Sequence, residues 1–231
     1  MAEHTIKAFD VEIGELRGLI SEMGGRAEAA IEKAMTALVR GDSTLAASVV
    51  ADDAKIDLLE TEVEKLAVKI IALRAPMADD LREVVAALKI AGVIERIGDY
   101  AKNIAKRVNT LKEYRKIEAI AVLPAMAHVA SEMVHDVLDA FAARDADAAL
   151  RVCERDREVD DFYNSIFRTL VTYMMENPAT ITSAAHLLFI TKNIERIGDH
   201  ATNVAEMVYF AATGSYMAER ERGEPAYGTE S

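Results

Sequence analysis

The chain has 231 residues, of which 51% are apolar and 29% charged, and its formal net charge is -12. That composition excludes a wholly disordered chain, and its acidity opposes binding to nucleic acid or to an anionic membrane surface. A single cysteine excludes an internal disulfide and a Cys-rich zinc site. Four prolines and eleven glycines, against abundant Ala, Glu, Leu and Met, favour helix over sheet. The start, MAEHTIKAFDVEIGELRGLI, has neither the basic n-region nor the apolar h-region of a targeting signal. No uncharged apolar run of about 18 residues is present to span a bilayer, so a cytoplasmic protein is expected.

Six long helices are predicted. The first covers about 5–40, with Ile13, Leu16, Ile20, Met23, Ala27, Ile31, Ala34 and Leu38 at the mixed spacing of three and four that an apolar helical stripe needs. Gly14, Gly18, Gly24 and Gly25 within it point to close packing or a bend. The second covers 42–73, with Asp42 and Ser43 as candidate N-caps, and ends at Arg74-Ala75-Pro76. The third covers 77–110, with Val84, Leu88, Ala91, Ile94, Ile97, Ala101, Ile104 and Val108 on one face. A fourth over 116–143, a fifth over 145–176 and a sixth over 179–216 complete the set. The tail, ERERGEPAYGTES, reads as frayed and then disordered.

The two halves repeat. Ile94-Glu95-Arg96-Ile97-Gly98-Asp99 recurs unchanged as Ile194-Glu195-Arg196-Ile197-Gly198-Asp199. The match continues through Ala101/Ala201, Asn103/Asn203, Ala105/Ala205 and Val108/Val208, and Pro76 corresponds to Pro178. Shared helical composition rarely yields such a run, so the chain is an internal duplication. Short connections make consecutive helices antiparallel neighbours. The expected fold is all-α: two tandem three-helix bundles, residues 1–112 and 113–218, with a flexible tail over 219–231.

Each repeat carries carboxylates one helical turn apart. At 100° per residue Glu95, Asp99 and Asn103 fall within an arc of about 80°, opposite the apolar stripe, as do Glu195, Asp199 and Asn203. Asp53 and Asp57 repeat the spacing on the second helix, followed by Glu60 and Glu64; Asp156 and Asp160 repeat it on the fifth, followed by Tyr163. Acids opposite an apolar stripe are ordinarily a solvated face. Like charges at i,i+4 are nevertheless unfavourable by a few tenths of a kcal/mol, and their recurrence on four helices gives a cation a role. If the stripes of each repeat face one another, they offer an oxygen-rich ligand set suited to Fe, Mn or Mg. Gly98 and Gly198 mark close helix approach, and Arg96 and Arg196 are placed to pair with neighbouring acids.

The repeated IERIGDxAxN element resembles the signature of the PhoU family of phosphate-signalling proteins, over roughly residues 5 to 215. The resemblance implies two three-helix bundles whose E/DxxxD elements bind multinuclear metal clusters: iron first, with Mn, Mg or Zn as alternatives. Carried onto this chain, the ligands are Asp53, Asp57, Glu95, Asp99 and Asn103 in one repeat, and Asp156, Asp160, Glu195, Asp199 and Asn203 in the other. Tyr163 in place of a third acid implies that the two clusters need not be identical. The resemblance further implies a homodimeric negative regulator of phosphate uptake and of the phosphate-starvation response. Its expected partners are the ATPase subunit of a phosphate ABC importer and a phosphate-sensing histidine kinase, with membrane association only through protein partners.

Other classes have less support. A metal-binding helical-bundle oxidoreductase of the ferritin type needs two Glu-x-x-His elements, and the chain has one, Glu132 to His135. His128 and His135 share a helix face, His200 follows Asp199, and Cys153 reads as a small core residue. No nucleophile constellation, helix-turn-helix or basic extension points to an enzyme or a DNA-binding protein. A plain structural scaffold remains the alternative if the carboxylate stripes hold nothing.

Overall fold

The computed structural model describes the backbone of residues 2–111 and 118–217, and side chains from residue 9 onward within those spans except 118–119. Eight α-helices lie among the described residues: α1 (Ala2–Arg40), α2 (Ser43–Asp52), α3 (Ala54–Arg74), α4 (Asp79–Lys106), α5 (Val108–Leu111), α6 (Leu123–Ala143), α7 (Ala146–Glu176) and α8 (Ile181–Thr213). No strand occurs among these residues. The expected boundary at 112/113 and the expected disordered tail lie outside them.

Of the two candidate caps of the second predicted helix, the structure uses Asp42. Asp42 Oδ1 accepts from the amides of Thr44 and Leu45 at 2.9 and 3.0 Å, satisfying donors that the first turn leaves open. Asp145 does the same for Ala148 at the start of α7. Gly41 and Arg144, which correspond in the two repeats, both take left-handed backbone after a helix end, and for arginine that conformation carries strain. Pro76 and Pro178 sit in the turns before α4 and α8.

Two predicted helices are interrupted. The expected helix over 42–73 is α2 followed by α3, and the expected helix over 77–110 is α4 followed by α5. The cause is local tightening: the Ile56 amide bonds to the Asp53 carbonyl and the Arg107 amide to the Ile104 carbonyl, each spanning three residues instead of four. Asp53 keeps helical angles, so the chain direction is preserved. The glycine-rich α1, by contrast, runs unbroken. Gly24 serves packing there: a Cβ at this position would lie 2.0 Å from Leu138 Cδ1 on α6.

Helix α1 packs with α2, α3 and α4, and α6 packs with α7 and α8, giving two three-helix bundles. The bundles join along α1 against α6 and α4 against α8, through one continuous apolar core. Ile90, Ile94, Ile97 and Ile104 of α4 are all fully buried. Each contributes roughly 1.5–3 kcal/mol of burial free energy. Contacts of Arg82 with Gly214, Tyr100 with His200 and Arg107 with Phe189 run α4 and α8 antiparallel. Tyr100 and His200, equivalent in the two repeats, therefore meet on the pseudo-two-fold axis, their rings stacked 5.3 Å apart.

Candidate metal centres

Close helix approach builds the first carboxylate cluster. A Cβ on Gly98 would stand 2.8 Å from Ile56 Cδ1 and 3.7 Å from Asp53 Oδ1. The missing side chain thus lets the α2–α3 junction lie against α4, opposite the helix turn that carries Glu95 and Asp99. Gly198 does the same in the second repeat, facing Val159 at 3.4 Å and Asp156 at 3.6 Å. The stripes of each repeat therefore face each other across adjacent helices, the condition under which they offer a shared ligand set.

They are less solvated than a face opposite the core would be. Asp53 is buried, and Glu95, Asp99, Asp156, Asp160, Glu195 and Asp199 are half-buried; Asp57 is exposed. Burial raises the carboxyl pKa of Glu95, and repulsion from Asp99, Glu60, Asp57 and Asp53 adds to the rise. Although Asp57 reaches solvent, crowding by its neighbours partly desolvates its carboxyl, and this, followed by repulsion from Asp53, pushes its pKa up. In the second cluster burial raises Asp160 and Glu195, with Asp199 adding repulsion to both. These shifts describe carboxylates crowded together and short of solvent, the electrostatic setting that a cation relieves.

Lysines supply part of that relief. Lys102 donates to Asp53 Oδ2 across the helix interface and to Asp99 Oδ1 at 2.5 Å on its own helix. Burial opposes its charge, but the two carboxylates outweigh burial and raise its pKa. Lys192 donates to Glu195 Oε1 one turn away and lies 5.2 Å from the centre of the Tyr163 ring. Glu195 Oε2 is buried without a hydrogen-bond partner. Neither lysine stands out in the sequence, although each lies one helical turn from a candidate ligand, where an ion pair forms readily.

The fit to a metal therefore differs between the clusters. As the side chains stand, no group of three or more His, Cys, Asp or Glu among the described residues is arranged to hold a metal ion. The first cluster has an ammonium between two of its expected ligands. The second offers the same donor types and an unsatisfied carboxylate oxygen, with a chemistry suited to a hard cation. Asn103 is half-buried. Asn203 Nδ2 lies 3.1 Å from His200 Nδ1, so this side chain engages the seam between the repeats.

The remaining singled-out residues have structural surroundings. The His200 ring is buried, with Nε2 3.2 Å from the Tyr100 hydroxyl; burial, followed by the nearby Arg96 and Arg196, lowers its pKa. Both arginines are exposed. Glu132 accepts from Arg155, and the exposed His135 lies near Glu28 and Asp139. Cys153 is buried, with Sγ 3.9 Å from Met217 Sδ. Glu83, which no sequence pattern marks, is buried and pairs with Arg17 of its own bundle and Arg144 of the other.

A duplicated three-helix bundle with facing carboxylate stripes defines a class of two-repeat helical proteins. The PhoU domain matches residues 20–108 and 123–208. A phosphate-specific transport system accessory protein PhoU homolog from Zymomonas mobilis is 56% identical over 227 residues, covering 98% of this chain and 96% of the relative. The homolog from Caulobacter vibrioides is 47% identical, covering 94% and 95%. The crystal structure of PhoU from Pseudomonas aeruginosa is similar at a TM-score of 0.85 and 37% identity, covering 90% of this chain and all of that one. The phosphate transport system regulatory protein PhoU from Streptococcus pneumoniae gives the same TM-score at 27% identity, covering 91% of this chain and all of its own. The chain belongs to the PhoU family and has a phosphate-transport accessory or regulatory role.

Proposed function

We propose that the protein is a cytoplasmic negative regulator of phosphate uptake and of the phosphate-starvation response. It acts as an adaptor between the ATPase subunit of a phosphate ABC importer and a phosphate-sensing histidine kinase, with no turnover of its own. The observation that carries this reading is the match of both repeats and nearly the full chain to phosphate transport accessory proteins. Long helices with acidic outer faces suit an adaptor. No helix among the described residues is long and apolar enough to cross a membrane, which accords with recruitment through protein partners. The working form is a homodimer.

The facing stripes are the proposed metal sites. Asp156, Asp160, Glu195 and Asp199 would hold a hard cation in the second repeat, while Asp53, Asp57, Glu95 and Asp99 are their counterparts in the first. Iron is the leading choice, with Mn, Mg or Zn as alternatives. A bound ion would offset carboxylate repulsion and clamp α7 to α8. Asn103 and Asn203 would supply further oxygens if their amides turn toward the clusters.

The direct test is interaction. Purified protein should bind the importer ATPase subunit or the cytoplasmic part of the kinase in biolayer interferometry, at the purified components' own stoichiometry. Failure to bind either partner, with metal and without it, would refute the adaptor reading.

A further inference from the structure

We propose that the two carboxylate clusters are unequal because Lys102 is the resident cation of the first: a divalent ion loads the second cluster, and enters the first only when the Lys102 ammonium is removed. The proposal deepens the metal reading given above and rests on it for the second cluster.

The position of Lys102 carries the argument. Its Nζ joins Asp53, at the α2–α3 junction, to Asp99 on α4. These are the two elements that a bridging metal would connect, and the two acids are among the ligands it would use. Only 21% of the Lys102 side chain and 8% of the Asp53 side chain are exposed. Water therefore competes weakly for either charge, and removing one partner from such a buried pair leaves the other uncompensated. A metal ion between the same two acids would stand a few ångströms from the ammonium, where two cations repel, and only the Asp99 side of the pair, 42% exposed, is open to solvent. To admit an ion, the first cluster must expel a side chain whose stem is already packed.

The second repeat is built otherwise. The residue equivalent to Lys102 is Thr202, whose hydroxyl donates to the Asp199 carbonyl of its own helix and brings no charge. The lysine present there, Lys192, comes from a different position, where the first repeat has Gly92. Lys192 bonds Glu195 on its own helix, and 43% of its side chain is exposed. With twice the exposure of Lys102 and no hydrogen bond to the facing helix, it is the more easily displaced of the two lysines. Glu195 Oε2 remains buried and without a hydrogen-bond partner even with Lys192 in place. With Tyr163 and Lys192 where the first repeat has Glu60 and Gly92, the second repeat holds its cation on the exposed side of one helix, while Lys102 fixes it across the helix interface in the first.

The test uses the full chain, stripped of metal, with Mn2+ alone as the probe. Bound Mn2+ is read by equilibrium dialysis with electron paramagnetic resonance, and folding is checked by circular dichroism. In D199A, where the second cluster is disabled, the protein should bind no Mn2+ tightly. K102T/D199A places the second repeat's residue in the first cluster, and K102M/D199A keeps the stem while removing the charge. Whichever of these folds should gain one ion, with affinity raised about tenfold or more over D199A. K102R/D199A, which keeps the charge, should not. Tight Mn2+ binding by D199A that a further D99A change abolishes would overturn the proposal, as would folded K102T and K102M variants that gain nothing. Failure of the unmutated protein to bind Mn2+ would instead defeat the metal reading of the second cluster, and the gain in the Lys102 variants would still be read independently.

Discussion

Adding one methyl group at each of the two equivalent glycines should give opposite results. Replacing a mid-helix glycine by alanine gains about 1 kcal/mol of helix propensity. At Gly198 the new Cβ would meet Val159 at 3.4 and 3.5 Å and Asp156 at 3.6 Å, ordinary contact distances. G198A should therefore keep most of that gain. At Gly98 the Cβ would meet Ile56 Cδ1 at 2.8 Å, and Ile56 is buried. Overpacking of this kind costs about 1–3 kcal/mol, so G98A should be destabilised by about 0–2 kcal/mol net. Changing Ile56 to valine removes the offending carbon and copies the Val159 found in the second repeat. Alone, I56V should cost about 0.5–1.5 kcal/mol. Combined with G98A it should cost less than the sum, with a coupling of about 1 kcal/mol. Urea denaturation of the parent and these four variants measures all these terms. Equal stability changes for G98A and G198A, or strict additivity of I56V and G98A, would refute the claim that Gly98 sets the approach of the α2–α3 junction to α4.

Three further outcomes follow from the geometry. E83Q should lower stability by about 1–3 kcal/mol in thermal or urea denaturation, because Arg17 and Arg144 lose a shared buried partner; an unchanged midpoint would remove Glu83 from the contacts that join the bundles. Glu12 accepts hydrogen bonds from Arg74, which hold its carboxyl below the usual range, with Lys69 assisting against the opposing effect of burial. Its folded pKa is lowered, so its contribution is present above the unfolded carboxylate pKa and is lost as pH falls through the folded one. E12Q should thus be less stable than the parent near pH 7, with the gap closing below about pH 4; a gap independent of pH would contradict this. D199A should lower the metal retained on purification without chelator while leaving the circular dichroism spectrum intact, since the apolar stripe of α8 is untouched. Unchanged metal content would exclude Asp199 as a ligand.

Much of this architecture is legible in the sequence because local signals and tertiary packing agree. Apolar spacing, Asp42 as a cap, and the two proline turns delimit the long helices; the repeated hexapeptide reveals the duplication. The interruptions at Asp53 and Arg107 are not legible. Both residues keep helical backbone angles, and only the span of one hydrogen bond changes. The carboxylate stripes are visible at i,i+4, but their depth is not, because it depends on how closely Gly98 and Gly198 let neighbouring helices approach. The same holds for Lys102. A lysine one turn from an acid is ordinary on a solvated face, and its bond to Asp53 exists only once α4 and the α2–α3 junction meet. Asn203 and His200 depend on a contact between repeats, which neither repeat's own periodicity contains.

The central claim, that the chain restrains the phosphate-starvation response, is tested most directly by clean deletion and complementation. Alkaline phosphatase activity, or another reporter of that response, is measured in phosphate-rich medium in a strain with no second family member. The account predicts a derepressed reporter in the deletion strain and restored repression when the chain is expressed again. Normal repression in the deletion strain would contradict it, leaving a helical scaffold without that regulatory role.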